Sequence, residues 1–97
     1  MQYYVYIMSC TNLTLFYTGI TNNIIRRVFE HKNKSLENSY TSRYNLNKLV
    51  YFEEYKDPNQ AIEREKQIKK YSQKKKLELV QRRNPSCCDL YDGITDS

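Results

Sequence analysis

The chain has 97 residues, which is enough for one domain with a single small core. Its hydrophobic content is 39%, and no run of eighteen apolar residues occurs, so we expect no membrane-spanning segment. The first residues lack the basic-then-apolar pattern of a signal peptide. The three cysteines are odd in number and lack metal-ligand spacing, which argues against a disulfide framework and favours a cytoplasmic protein (Cys10, Cys87, Cys88).

The net charge of +5 is unevenly placed along the chain. Residues 1–83 contain all sixteen Lys and Arg and eight acidic residues, a charge of +8, whereas residues 84–97 contain three Asp and no base. A basic body favours a polyanionic partner, because each phosphate contact releases counterions. The simpler alternative is that the charge only keeps a small protein soluble. Of these two interpretations we favour the first, and we expect a nucleic-acid-binding body, 1–83, followed by a flexible acidic tail, 84–97.

The first two predicted elements are strands that form a β-hairpin. Gln2–Ser9 is rich in aromatic and β-branched residues, and both of its faces are apolar, which is typical of a central strand. A turn at Thr11-Asn12 leads into a second strand, Thr14–Ile20. Gly19 lies near the end of that strand, where a glycine suits a bend or the close approach of another backbone.

The next element is predicted to be an amphipathic helix that begins after Thr21 or Asn22 and runs to about Lys32. Its buried stripe is predicted to consist of Ile24, Ile25, Val28 and Phe29. Arg27 and His31 are four residues apart, so they lie one above the other on a neighbouring face. Such a pair is also common on solvated helix flanks.

The second half of the chain is predicted to continue with a loop, a strand and two helices. The loop covers Asn33–Asn47 and the strand covers Lys48–Tyr55. Asp57 and Pro58 mark a helix start, with the helix reaching residues 70–72, and a short helix follows at Gln73–Gln81. From residue 84 the sequence is loop-like. The order ββαβαα predicts an α+β fold, an α/β sandwich.

Glu65 is the most informative single residue, because it falls in the apolar stripe of the second long helix with Ala61 and Ile68. A buried carboxylate needs a cation, a metal ion or a solvent-filled cleft. An ordinary ion pair with Arg26, Arg27 or Lys69 would satisfy it equally well. Position alone does not separate these alternatives.

A lysine-rich run follows Glu65 on the same helical segment and is interrupted by Tyr71. It is either a solvated helix face or a surface that follows a phosphate backbone, with Tyr71 as a stacking platform. A second basic route for a strand is the loop that contains Tyr40, Arg43 and Tyr44. The run consists of Lys69, Lys70, Lys74, Lys75 and Lys76.

Taken in order, these segments resemble the GIY-YIG nuclease superfamily, specifically its small single-domain bacterial branch of excinuclease-C-like proteins. The half-motifs are Y-V-Y-I at residues 4–7 and Y-T-G at residues 17–19, and the resemblance continues to about residue 80. Tyr4 stands where many relatives have glycine. The resemblance implies a three-stranded antiparallel sheet flanked by helices.

The resemblance also implies a site. Tyr6 and Tyr17 match the two motif tyrosines, and Gly19 matches the closing glycine. Arg27, rather than Arg26, matches the catalytic arginine, with His31 one turn later. Glu65 matches the metal-binding glutamate, with Mg²⁺ or Mn²⁺ as the cofactor. For Tyr6 to act as a base, its hydroxyl must become more acidic than the ordinary phenol pKa of about 10.

The sequence and its resemblance thus predict that residues 1–83 form a GIY-YIG-like, metal-dependent endonuclease domain. It would cut DNA with structure selectivity or weak specificity and would have a role in DNA repair or recombination. The predicted catalytic residues are Tyr6, Tyr17, Arg27, His31 and Glu65. The predicted DNA-binding residues are Arg26, Arg43 and the lysine run. The alternative is a non-catalytic nucleic-acid-binding module that acts with a partner. We expect a monomer or a weak dimer.

Overall fold

The computed structural model describes residues 2–33 and 40–95. The sheet contains β1 (Tyr3–Ser9), β2 (Phe16–Thr21) and β3 (Lys48–Tyr55), in the order β2-β1-β3 with both pairings antiparallel. The helices are α1 (Ile24–Lys32), α2 (Tyr40–Arg43), α3 (Pro58–Lys69), α4 (Gln73–Arg83) and α5 (Tyr91–Thr95). The predicted α+β fold with a three-stranded antiparallel sheet is confirmed.

The central strand β1 separates two hydrophobic clusters, because its side chains alternate between the faces of the sheet. Tyr6 and Met8 pack with α1 and α5 on one face, here called the Tyr6 face. Val5 and Ile7 pack with α3 and α4 on the other, the Val5 face. All four of these β1 side chains are buried, as predicted for a central strand.

Helix α1 begins one residue later than predicted, at the cap Asn23, whose Oδ1 accepts a hydrogen bond from the Arg26 amide at 3.1 Å. Its buried residues are Ile24, Val28 and His31. The predicted stripe was wrong at Ile25 and Phe29, which are 44% and 53% exposed. His31, expected on a helix flank, faces the core instead, because Tyr6 and Thr41 satisfy both of its ring nitrogens.

The segment predicted as a loop, 33–47, contains the short helix α2. The Leu46 amide donates to the Thr41 carbonyl at 2.9 Å, which closes the turn after α2, and the Leu46 side chain is fully buried. This tertiary anchor explains a helical turn where the sequence has no clear period. Residues 34–39 of the predicted loop lie outside the described residues.

Helix α3 is fixed to the sheet by an ion pair on the Val5 face. The Arg64 guanidinium donates to both carboxylate oxygens of Glu53, from Nε to Oε1 at 2.9 Å and from Nη2 to Oε2 at 3.0 Å. Asp57 caps the helix and Pro58 begins it, as predicted. Because Arg64 is anchored, the rotation of α3 is defined, and with it the direction of the neighbouring Glu65.

Residues 84–95 were predicted to be loop-like, but they contain α5 and lie against the sheet and α1. The side-chain amide of Asn84 donates to the Val50 carbonyl at 3.0 Å, and the Leu90 amide donates to the Leu49 carbonyl at 2.7 Å. Asp89 forms an ion pair with Lys32 of α1. These contacts place the segment against β3 and α1. That residues 84–97 are flexible in solution stays a prediction.

Candidate active site

Two tyrosines of the hairpin and the histidine of α1 form a triangle of rings on the Tyr6 face. The ring centroids are 6.2 Å apart for Tyr6 and Tyr17, 5.7 Å for Tyr6 and His31, and 5.5 Å for Tyr17 and His31. The Tyr6 hydroxyl lies 3.0 Å from His31 Nε2. Tyr6 is 1% exposed and His31 is 3% exposed, so this hydrogen bond is shielded from water.

Gly19 provides the space in which the Tyr6 ring lies. The two residues are direct partners in the β1–β2 register, and a Cβ built on Gly19 would lie 2.5 Å from the Tyr6 hydroxyl and 2.9 Å from Tyr17 Cε2. Gly19 does not have a positive φ. The position therefore requires glycine for the close approach of two side chains and not for its backbone conformation.

The electrostatic environment keeps Tyr6 protonated and His31 neutral. Burial raises the pKa of Tyr6, as do the nearby Tyr17 and Glu65, and this outweighs the lowering by Arg27. Burial, together with the positive charge of Arg27, lowers the pKa of His31 to about 4. The expectation of a more acidic Tyr6 hydroxyl is therefore not met. Instead, a neutral imidazole lies next to a protonated phenol.

Arg27 lies beside this pair at the flank of α1 and carries the positive charge that acts on both Tyr6 and His31. Its Nε is 3.5 Å from Glu30 Oε1, and its side chain is 43% exposed. The neighbouring Arg26 also pairs with Glu30, at 3.7 Å, but its side chain is 76% exposed. Arg27 is thus electrostatically coupled to the buried pair, while Arg26 points to solvent.

Glu65 approaches the site from α3, a helix that packs on the Val5 face. Its side chain is 15% exposed, and its Oε2 forms an ion pair with Lys69 Nζ at 3.4 Å. The Glu65 carboxylate nevertheless contributes to the raised pKa of Tyr6, so the two groups are electrostatically coupled although α3 packs on the Val5 face and the Tyr6 side chain lies on the other face. Of the ion-pair partners considered from the sequence, the structure selects Lys69.

The donor set around Glu65 fits a magnesium ion that keeps most of its waters. In the part of the chain that the structure describes, no three His, Cys, Asp or Glu side chains come together as a metal cluster. Mg²⁺ is commonly held by one or two carboxylates plus waters and substrate phosphates, and does not need an all-protein cage. The mostly buried Glu65 carboxylate, which already pairs with the ammonium group of Lys69, can supply this single protein ligand.

The lysine run divides into two groups in the structure. In the first group, Lys69 pairs with Glu65. Burial lowers the pKa of Lys76, and the positive charge of the nearby Lys69 lowers it further. In the second group, the Lys75 ammonium lies 4.1 Å from the centroid of the Tyr71 ring. Lys70 and Lys74 are exposed, and so is Arg43 at the end of α2.

Sequence reasoning missed Thr41. Its hydroxyl lies 2.7 Å from His31 Nδ1, and the residue is 1% exposed. Nothing in the local pattern indicates this contact, because Thr41 lies in a polar segment ten residues after His31. The only available signal is indirect, since a buried histidine must find partners for both ring nitrogens.

Comparison with known proteins agrees with this arrangement of hairpin, helix and strand. A family model described as the GIY-YIG catalytic domain matches residues 2–78. The chain belongs to the GIY-YIG family. The match includes both half-motifs, α1, and α3 with Glu65, and it ends before the C-terminal segment that contains α5.

Similar proteins include UPF0213 proteins from several organisms. The protein of Syntrophus aciditrophicus is 42% identical over 84% of this chain and 92% of its own length. That of Clostridium perfringens is 42% identical over 79% and 81%. The solution NMR structure of the UPF0213 protein BH0048 from Bacillus halodurans is 30% identical, with a TM-score of 0.55 and 87% of each chain covered. The predicted excinuclease-C-like branch stays a prediction.

Within residues 2–33 and 40–95, no helix is long and apolar enough to cross a membrane.

Proposed function

We propose that this chain is a metal-dependent endonuclease that hydrolyses DNA phosphodiester bonds. The observation that carries the proposal is the buried contact between the Tyr6 hydroxyl and a neutral His31, next to a permanently charged Arg27. A structural tyrosine–histidine contact has no need of an arginine that disfavours the protonated imidazole. The membership in the GIY-YIG family supports the same reaction.

The Tyr6–His31 pair provides a path for the proton of an attacking water. The pKa of Tyr6 is raised, so its hydroxyl carries a proton, and His31 Nε2 lies 3.0 Å away with its pKa lowered to about 4. Tyr6 can take a proton from water only if it passes its own proton to His31 in the same step. The positive charge of Arg27 disfavours the resulting imidazolium until a phosphate binds to Arg27 and neutralises that charge.

Arg27 is the group best placed to hold the scissile phosphate. Its guanidinium is a planar fork that can donate two parallel hydrogen bonds to phosphate oxygens. Its side chain is 43% exposed and its ion pair to Glu30 is 3.5 Å long, so it can turn towards a ligand at little cost. Phosphate binding would also offset the unfavourable effect of Arg27 on a protonated His31.

Glu65 is the residue that would hold the metal ion, and Lys69 is its present cationic partner. A bound divalent ion supplies charge neutralisation at the phosphoryl and leaving oxygens. Lys69 has a side chain that is 53% exposed, so it can move from the carboxylate to a phosphate when a metal ion takes its place.

The distribution of charge favours a DNA substrate recognised by its backbone. Exposed lysines such as Lys70 and Lys74 suit phosphate contacts, which position a nucleic acid but carry no sequence information directly. The cutting is therefore expected to be selective for structure, or weakly specific. A role in DNA repair or recombination would follow from a preference for branched or flapped substrates.

The test is a cleavage assay on duplex, nicked, flapped and single-stranded DNA with Mg²⁺ or Mn²⁺ and an EDTA control. We expect Glu65→Gln to abolish cleavage while DNA binding and folding persist, because the amide keeps the shape but loses the charge. The matched control is Glu63→Gln, an exposed acid on the same helix, which should cleave like the wild type. Metal-independent cleavage, or equal loss in both variants, would contradict the proposal. Binding without cleavage on every substrate would favour the non-catalytic module.

A further inference from the structure

Thr41 is the last member of a hydrogen-bonded row that starts at Tyr6 and passes through His31. Tyr6 Oη lies 3.0 Å from His31 Nε2, and His31 Nδ1 lies 2.7 Å from Thr41 Oγ1. All three residues are at most 3% exposed, so bulk water does not compete for these contacts. Each ring nitrogen of His31 is therefore matched to a different protein hydroxyl.

A neutral imidazole has one N–H donor and one lone-pair acceptor, so the two contacts are coupled. Because the pKa of His31 is lowered to about 4, the ring is neutral at pH 7. Either Nδ1–H donates to Thr41 and Nε2 accepts from Tyr6, or Nε2–H donates to Tyr6 and Nδ1 accepts from Thr41. The hydrogen bond made by one nitrogen decides which proton the other carries.

We propose that Thr41 is a positioning residue that accepts a hydrogen bond from Nδ1–H of His31 and thereby keeps the Nε2 lone pair directed at the Tyr6 hydroxyl. This inference rests on the proposed function, since only in this tautomer can His31 receive the Tyr6 proton. In the other tautomer Nε2 already carries a proton, and no proton can pass from Tyr6 to the imidazole.

Two features of the structure favour this direction. A phenol O–H is a stronger acid than an aliphatic alcohol, so Tyr6 is the better donor to the imidazole lone pair, and Thr41 is left as the acceptor. In addition, Thr41 is held in place from its own backbone, because its carbonyl accepts from the amide of the fully buried Leu46. The hydroxyl is thus presented to His31 by an anchored turn.

The tautomer can be measured directly, because His31 is the only histidine of the chain. In ¹⁵N-labelled protein at pH 7, long-range proton–nitrogen spectra distinguish the protonated ring nitrogen from the one with the lone pair. We expect Nδ1 protonated in the wild type and in Thr41→Ser, which keeps the hydroxyl. Thr41→Val removes the acceptor and should shift the ring to the Nε2-protonated form or to a mixture.

A wild-type spectrum with Nε2 protonated would overturn the proposal without any variant. An unchanged tautomer in Thr41→Val would show that other groups hold the ring, and Thr41→Ala provides the same comparison if the valine variant does not fold. The proposal requires that His31 have the same tautomer in Thr41→Ser as in the wild type.

Cleavage kinetics then connect the tautomer to the reaction. Thr41→Val should lower the cleavage rate by on the order of 10²-fold, the contribution typical of a general base, while DNA affinity stays unchanged. Thr41→Ser should restore the rate. A tautomer shift without a loss of rate would refute the positioning role. If the wild type does not cleave DNA at all, the proposed function fails, while the spectra still decide the tautomer.

Discussion

Gly19→Ala tests the geometry of the site through a single methyl group. The added Cβ would lie 2.5 Å from the Tyr6 hydroxyl oxygen and 2.6 Å from Tyr6 Cζ, whereas ordinary contacts begin at 3.4 Å. The Tyr6 ring must therefore move by about 1 Å, and Tyr17, at 2.9 Å, must also yield. Because Tyr6 is buried and its hydroxyl is 3.0 Å from His31, this movement breaks or weakens that hydrogen bond.

Two opposing terms set the expected loss of stability. Overpacking a buried site costs about 1–3 kcal/mol. Replacing glycine by alanine gains about 0.4–1 kcal/mol by restricting the unfolded chain, because Gly19 needs no positive φ. The net expectation is a destabilisation of about 1 kcal/mol, or roughly 4–8 °C in melting temperature for a domain of this size. A displacement of about 1 Å at a reacting group should lower the cleavage rate by on the order of 10²-fold.

The chain contains one matched control, since Gly93 is its only other glycine. Nothing lies within 4 Å of a Cβ built on Gly93, which is in α5, so Gly93→Ala should be neutral or slightly stabilising and should not change cleavage. Thermal unfolding and cleavage rates of both variants give the comparison. If Gly19→Ala melts and cuts like the wild type, Tyr6 does not occupy the space above Gly19, and the site described here is wrong.

Three further predictions concern charge. Arg27→Ala should abolish cleavage with folding intact, because it removes the phosphate ligand next to Tyr6, whereas Arg26→Ala should only weaken DNA binding; equal cleavage by both variants would refute the assignment. Neutralising the exposed lysines should flatten the salt dependence of DNA affinity by about one unit of slope per lost phosphate contact, and an unchanged slope would mean a solvated face. The lysines to replace are Lys70, Lys74 and Lys75. Finally, the pKa of His31 is about 4 in the folded protein, against 6.5 for an ordinary histidine. Between these pH values the unfolded chain binds a proton at His31 that the folded protein does not bind. The free energy of unfolding should therefore fall as the pH drops from 6.5 towards 5. The total loss of unfolding free energy at low pH approaches roughly 3 kcal/mol. A denaturation series in which the stability of His31→Gln depends on pH as steeply as that of the wild type over this window would contradict the prediction.

The sequence by itself determined the elements whose signals are local. The period-two pattern of β1, the exact bounds of β3 at Lys48–Tyr55 and the cap at Asp57 follow from side-chain type and backbone preference. At Gly19 the sequence indicated only a bend or the close approach of another backbone, whereas the structure shows that the side chains of Tyr6 and Tyr17 occupy this space. The order of these elements, with the motif residues in place, was enough to indicate the family.

Only the tertiary structure decided which atoms meet. Helix α1 has nine residues, so two overlapping stripes fit its sequence, and the choice of His31 over Phe29 depends on partners from β1 and α2 that no local pattern reveals. Lys69, four residues after Glu65 on the same helix, was one of three possible partners, and the structure pairs Glu65 with it, whereas Arg26 and Arg27 both pair with Glu30. Periodicity defines the faces of an element, but the direction in which each face docks is set by long-range hydrogen bonds and packing.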